Sequence, residues 1–337
     1  MSAPPHHPDS ATPPRSPFPR RRRGRWGTAL VLGLGAAAVL LPDLVGLDRW
    51  FPFAQLIAFR PLFTGVLAVI VVLALLVTTF ARRFWPVPVL LALVALIAGS
   101  LVLPRTQAEP APTGGRPLKV LALNVFEGQA DADSLAALIR TEAPDIVSVP
   151  ESGGRFESQL APLIEPLGYR TAASVSARSA DVRGNTVAWS QRLGDVRTRV
   201  LDETQFEAIE ATGGGLGDLR FVAFHSVAPM PNSVGQWRND LGTVDQWCSA
   251  GSPAVVAGDF NASYDHSLFR KAIDGCSDAG ASTGNGLLGT WPTWAPEWMG
   301  PQIDHILSNQ GITAESFGVR QVPGTDHRAI VATLRLP

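Results

Sequence analysis

Cysteine is scarce in this chain of 337 residues: there are two, with two tyrosines and three methionines. A pair of thiols is too few for a metal site built on sulfur, so a metal has to be sought among oxygen and imidazole donors. Charge is absent from residues 28–41, 61–80 and 86–103, and a helix apolar on every side does not belong on the surface of a soluble protein. A basic surplus is missing from residues 114–337, where 17 Lys and Arg stand against 25 Asp and Glu, a net of −8. That makes the domain a poor generic binder of nucleic acid, which relies on a positive surface that releases counterions. It leaves open an enzyme whose metal supplies the positive charge. There is no internal repeat.

What the front of the chain has is hydrophobicity. The span PLFTGVLAVIVVLALLVTTF (61–80) matches the roughly 20 apolar residues needed to cross a bilayer, and 86–103 is about as long. Residues 28–41 are shorter and run into Pro42 and Asp43. This first segment has the look of a signal-peptide core behind Arg20, Arg21, Arg22, Arg23 and Arg25, but the two spans behind it favour a retained helix. Arg15 and those five arginines precede the first span, and Arg82 and Arg83 separate the second from the third. The loop between the first and second carries Arg49 and Arg60, balanced by Asp43 and Asp48. By the positive-inside bias the N-terminus and the second loop are cytoplasmic, and everything after about residue 104 lies outside.

The expected organisation is therefore a disordered basic tail (1–25), a membrane region with three transmembrane helices (26–103), a Pro/Gly linker (104–117) and a folded domain (118–337). The tail is rich in Pro and Ser, and His6 and His7 within it carry no pattern. Both cysteines, Cys248 and Cys276, fall in the exported domain, where a disulfide is the expected state. Such a bridge stabilises by about 3 kcal/mol, less any strain.

The domain reads as many strands with a few helices. Strands are expected at 145–149, 185–190, 197–201, 205–211, 219–226, 254–259, 303–308, 312–321 and 329–336. A helix is expected over 131–143, capped by Asp131 or Asp133, with Leu135, Leu138 and Ile139 on one face and Pro144 as its stop. Further helices are expected at 233–247, with Trp237, Leu241, Val244 and Cys248 on one stripe, and near 267–274. The pattern predicts an α/β fold, a layered sandwich of two packed sheets with helices outside.

Polar patches at the ends of these runs carry the chemistry. They are Asn124 after LKVLAL, Glu151 after DIVSVP, His225 in FVAFHS, Asp259 and Asn261 in VVAGDFN, Asp304 in QIDHIL, and Asp326 and His327 in GTDHRAI. Acids, amides and imidazoles gathered on one sheet edge suit metal-assisted attack on a phosphoester. They offer hard oxygen ligands, a base for water and a cation to face the phosphate. Asp259 and Asn261 lie two apart, so in extended backbone they face the same side. Gly258 is expected where the backbone approaches closely or needs a positive φ.

These motifs, in this order, resemble the endonuclease/exonuclease/phosphatase superfamily across about 117–337. The resemblance implies a four-layered α/β sandwich of mostly antiparallel sheets and a Mg²⁺ or Mn²⁺ cofactor. It makes Glu151 the principal metal ligand, Asn124 the amide that orients the metal or its water, and Asp326 a group near the metal. Asp259 would position or deprotonate water, and Asn261 would hydrogen-bond the phosphoryl oxygens. Asp304 and His327 would form an imidazole–carboxylate pair, with His225 a candidate acid for the leaving oxygen. Two positions depart from the family pattern: Pro150 stands where Gln usually precedes the Glu, and Thr325 where Ser usually precedes the Asp-His.

His305 is expected to face away from the site, and Asp265 and His266 have no assigned role. Tyr169, Arg183 and Asn185 are further candidates for substrate contact. Trp291, Trp294 and Trp298 crowd the loop before Asp304, suited to stacking a base, dipping into lipid headgroups or packing on the core. The expected protein is thus a membrane-anchored, metal-dependent phosphoester hydrolase. Its substrate would be DNA or another phosphodiester, or alternatively a lipid head group.

Overall fold

The computed structural model describes residues 21–337. The tail before them, with His6 and His7, lies outside the described residues. Helix α1 (Arg21–Leu40) already takes in Arg21 to Arg25, in keeping with arginine's good helix propensity once Pro19 is passed. After a loop and the short helix α2 (Phe53–Ile57) come α3 (Arg60–Phe80) and α4 (Pro86–Val102). Proline near the start of α3 and α4 fits the first turn, where no N–H partner is needed.

Leu40, Leu67, Leu91, Val94 and Ala98 pack together where the three long helices meet. Among the described residues, two helical stretches are long and apolar enough to cross a membrane, Arg60–Phe80 and Pro86–Thr106; Gly24–Leu40 is apolar but shorter. The first of the three expected spans (28–41) is therefore not established by length.

The remainder is a sandwich. In chain order its elements are β1 (Arg116–Ala122), α5 (Ala132–Glu142), β2 (Ile146–Pro150), α6 (Gly154–Ile164), β3 (Tyr169–Ala173), β4 (Asn185–Ser190), β5 (Val196–Leu201) and β6 (Ala208–Gly213). Then come β7 (Arg220–His225), α7 (Val234–Thr243), α8 (Asp245–Cys248), β8 (Ala254–Asp259), α9 (Ser267–Ala272), β9 (Ser277–Asp278), β10 (Asp304–Ser308), β11 (Thr313–Arg320) and β12 (Ala329–Leu336). One sheet has the order β11-β12-β1-β2-β4-β3 and the other β5-β6-β7-β8-β10-β9. Among the described residues, only β1–β2 and β7–β8 pair in parallel.

Alternation along each strand sorts side chains into layers. Leu118, Val120 and Ala122 of β1 meet Phe221, Ala223, Val255 and Ala257 between the sheets. Leu121 and Leu123 instead face Leu135, Ile139, Phe156 and Leu160 of α5 and α6. On the far side, Trp237, Leu241, Trp247 and Phe269 of α7 to α9 cover Val222, Phe224 and Val256. Each Val, Leu, Ile or Phe among them, fully withdrawn from water, contributes about 1.5–3 kcal/mol.

The helix expected at 233–247 breaks at Val244 into α7 and α8, although Trp237, Leu241, Val244 and Cys248 are all buried as one stripe. Helix α6 and strand β3 were not anticipated. Cys248 and Cys276 are bridged.

Buried ions join the two parts. Arg60, first residue of α3, pairs with Asp43 and, at 3.2 Å, with Asp265. Arg105 reaches Asp265 at 2.8 Å, and Arg270 reaches Asp43 at 2.7 Å. Each carboxylate in this chain of charges has two basic partners, which offsets the cost of removing it from water.

Candidate active site

The topology brings the polar patches to one edge. Asn124 and Glu151 follow β1 and β2, and His225 and Asp259 end β7 and β8. Asp304 begins β10 and His327 precedes β12, which run the opposite way, so their starts lie at the same edge. In register, Asp259 is flanked by His225 on β7 and by Asp304 on β10.

Gly258 makes this edge possible. Its φ is +148°, and a Cβ there would sit 2.0 Å from the carbonyl oxygen of Phe224. Glu151 and Asn261 also have positive φ, 56° and 46°, a conformation that costs free energy in non-glycine residues and often marks working sites.

Asp259 is the hub. Its Oδ2 accepts from Asn124 Nδ2 at 2.9 Å and Asn261 Nδ2 at 3.2 Å, and its Oδ1 from the Asn261 N–H at 2.8 Å. His225 Nε2 and His327 Nε2 stand 3.7 and 3.8 Å from Oδ2. Burial pushes the Asp259 carboxyl up to about 7, against the pull of His327.

Asn124 Nδ2 also donates to Glu151 Oε1 at 2.9 Å, while its Oδ1 accepts from the Phe126 N–H at 2.8 Å. Asn124 thus presents its NH₂ to both acids and keeps its oxygen for the backbone, the geometry of an orienting residue. Glu151 Oε2 accepts from the Glu127 N–H at 2.7 Å. Burial raises the Glu151 carboxyl above its ordinary range, outweighing these donors.

His327 Nδ1 is 2.9 Å from Asp304 Oδ2. Burial alone would depress this imidazole, but Asp304 and Asp259 overcome it and hold the ring up to about 10, cationic at neutral pH. His225 is the opposite case. Burial, then the charge of His327, drive it down to about 3, and the ring stacks on Phe206 with centroids 4.6 Å apart. It is neutral at pH 7, which does not suit the expected role of acid for a leaving oxygen.

Asp326 is held by Trp291 Nε1 at 2.9 Å on Oδ2, and its Oδ1 is buried without a partner. Asn261 Nδ2 is further fixed on the Ser226 carbonyl at 3.0 Å. Thr325 retains the hydroxyl's usefulness: it donates to the Asn124 carbonyl at 2.7 Å and accepts from the His327 N–H at 3.1 Å.

Two acid/imidazole sets share Asp259: Glu151, His225 and Asp259, and Asp259, Asp304 and His327, with potential ligand atoms in each set within 4.8 Å of one another. Hard oxygens and the free Asp326 Oδ1 fit a cation such as Mg²⁺. Glu151, His225, Asp259, Asn261, Asp326 and His327 line a cavity of about 550 Å³ together with Trp291 and Phe206.

Other expectations resolve differently. Tyr169 is buried and its hydroxyl donates to the Pro144 carbonyl at 2.7 Å, away from the site. Asn185 donates to the Glu207 carbonyl at 2.9 Å, and Arg183 lies in a short 3₁₀ turn; neither is among the residues lining the cavity. His305 is structural, bound to Asp278 and to the Ala262 carbonyl. Trp294 and Trp298 are 83% and 69% exposed, which discards core packing for them.

Sequence reading missed Arg328. Its buried guanidinium donates to the carbonyls of Gly289, Pro292 and Ala295 and so holds the tryptophan loop against His327. A lone arginine beside a catalytic-type histidine gives no periodic signal.

Acids, amides and a charged imidazole thus gather at one edge of a double-sheet α/β sandwich. Residues 121–327 match the Endonuclease/Exonuclease/phosphatase family model, and the chain belongs to that family. Its members are typically metal-dependent phosphoester hydrolases.

Solved structures agree on the fold. AP endonuclease LMAP from Leishmania major superposes with a TM-score of 0.51 at 13% identity, over 70% of this chain and 95% of that one. D. rerio TDP2 complexed with single strand DNA product gives 0.51 at 15% identity, over 65% and 99%. No curated protein sequence matches the chain.

Proposed function

We propose that this protein hydrolyses a phosphodiester by in-line attack of water on phosphorus, anchored in a membrane with its catalytic domain outside the cytoplasm. The observation that carries the reading is the triangle at Asp259: a carboxyl raised toward neutrality, placed 3.8 Å from an imidazole held cationic by Asp304. At pH 8 Asp259 is largely ionised and takes a proton from water. His327 faces the phosphoryl oxygens with its Nε2–H and then has a proton to give.

Asn124 and Asn261 hold Asp259 so that its free lone pairs face the cavity. Glu151 and Asp326 are the residues that would hold Mg²⁺ or Mn²⁺. Such an ion, when bound, stabilises the charge that develops on the phosphoryl group.

The substrate class follows from charge and neighbours. A TDP2 structure holds a DNA product, which favours DNA or another phosphodiester. The domain's net −8 limits additional phosphate contacts. A lipid head group is the second reading, favoured by the outward apolar surface of α3, where Val69, Ile70, Leu73 and Leu76 are exposed. A relic that only binds would be expected to have lost one of Glu151, Asp259, Asp304 and His327, and all four are present and assembled.

Purified full-length protein should hydrolyse bis(4-nitrophenyl) phosphate with added Mg²⁺ or Mn²⁺ and stop in chelator. Glu151→Gln and Asp259→Asn should each lower turnover about a hundredfold or more. Undiminished hydrolysis in EDTA would sink the mechanism.

A further inference from the structure

Part of the cavity wall comes from outside the family domain. Ala54, Gln55, Ala58 and Phe59 line the same cavity as Glu151, Asp259 and His327, yet the matched domain begins at residue 121. Phe59 immediately precedes Arg60, the first residue of α3, which is long and apolar enough to cross a bilayer. The catalytic cluster and the residue that caps that helix therefore share one chamber.

This wall is fastened in place. His266, on the loop that follows the catalytic Asp259 and Asn261, sits with Nε2 2.6 Å from the Ala54 carbonyl. Arg60 is locked between Asp43 and Asp265. Gln55 Nε2 reaches Met230 Sδ at 3.1 Å across the cavity wall.

The wall is also apolar. Met230 and Phe126, both lining the cavity, are 49% and 38% exposed. Attack of water on phosphorus has no use for an apolar wall, and a phosphate or sugar gains nothing from one. A hydrocarbon chain does, because each methylene withdrawn from water favours binding.

We infer that Ala58, Phe59 and Met230 form a subsite for the hydrocarbon part of an amphiphilic phosphoester lying in the bilayer that α3 enters. The phosphate would then reach Asp259 without the substrate leaving the membrane surface. The inference rests on the phosphoester-hydrolase reading above and narrows its substrate. The positions that carry it, on the segment joining α1 to α3, supply a specificity that the family domain alone does not contain.

The test uses full-length protein in lipid nanodiscs and methyl, butyl and octyl 4-nitrophenyl phosphate, all kept below micelle-forming concentrations. In each, water adds to phosphorus and 4-nitrophenolate leaves, so only the chain length differs. Wild-type kcat/KM should rise at least tenfold from methyl to octyl, mainly through KM. In Phe59→Ala and in Met230→Ala the octyl-to-methyl ratio should fall at least threefold, while Phe59→Leu should keep it.

Because both esters are measured on one sample, loss of folded protein cancels from the ratio, and shared partitioning into the nanodisc cancels between variants. A flat wild-type dependence, or a ratio unchanged in both alanine variants, would overturn the subsite. So would a wild-type preference for a dinucleotide over the octyl ester, which would assign the wall to bases. Hydrolysis of none of the esters would instead overturn the underlying phosphoester reading.

Discussion

Asp304→Asn isolates the electrostatic part of the mechanism, because it keeps the shape of the His327 partner and removes its charge. The amide oxygen can still accept from Nδ1, so the 2.9 Å contact and the ring orientation survive. Two unit charges about 4 Å apart at an effective dielectric of about 20 interact by about 4 kcal/mol, which is about three pKa units. His327, held at about 10 in the native protein, should fall to about 7.

The sign follows from linkage. The ring's folded pKa lies above its unfolded value, so its contribution to stability is complete below about 6.5 and is lost as pH rises through about 10. Native activity should rise as Asp259 ionises through about 7 and fall as His327 deprotonates near 10. In Asp304→Asn the basic limb should move to near 7. The acid limb should also drop, because Asp304 helps to raise Asp259.

At pH 8.5 only about 3% of the imidazole would remain charged, a loss of about thirtyfold. The assay is the pH–rate profile on a nitrophenyl diester from pH 6 to 10.5. A basic limb left at its native position would refute the reasoning, since it would mean that a charged His327 is not required.

Two further outcomes test the frame around the site. Gly258→Ala should prevent stable folding or abolish activity, because the new Cβ would meet the Phe224 carbonyl oxygen at 2.0 Å; thermal unfolding of the purified variant decides it, and a native melting curve with full activity would contradict the close approach. Removing the Cys248–Cys276 bridge, which closes a separation of 28 residues, should lower stability by about 2–4 kcal/mol with little change in kcat, as measured by denaturant unfolding beside single-turnover assays.

What was readable in the sequence was local. The run AVVAGD (254–259) is apolar and then meets a tight polar turn, and the structure's β8 has those limits. The same holds for 329–336, bounded by a polar turn and Pro337. Helix α6 was hidden by glycines at its start and by Pro162 within it, although Phe156, Leu160 and Ile164 fall on one helical face and are buried.

The site's polar residues were legible because each lies at a strand end or just beyond one, and strand ends share an edge. Their dependence on residues far away in the chain was not. Asp265 and His266 carried no pattern, yet they meet Arg60 and Ala54 across separations of 205 and 212 residues. Pairings of that length are set by how α2 docks on the sandwich, which no window of sequence contains. The protonation states were equally out of reach: His225 and His327 look alike as residue types, and only their carboxylate neighbours and burial separate them.

The central claim is attack of water on phosphorus at this cluster, and isotope tracing tests it most directly. Full-length protein with Mg²⁺ or Mn²⁺ is allowed to turn over a nitrophenyl diester in ¹⁸O-enriched water, and both products are weighed by mass spectrometry. The account predicts one ¹⁸O in the phosphate product, none in the nitrophenol, and loss of labelled product in Asp259→Asn. Label in the nitrophenol, or labelled phosphate formed equally well by Asp259→Asn, would contradict it.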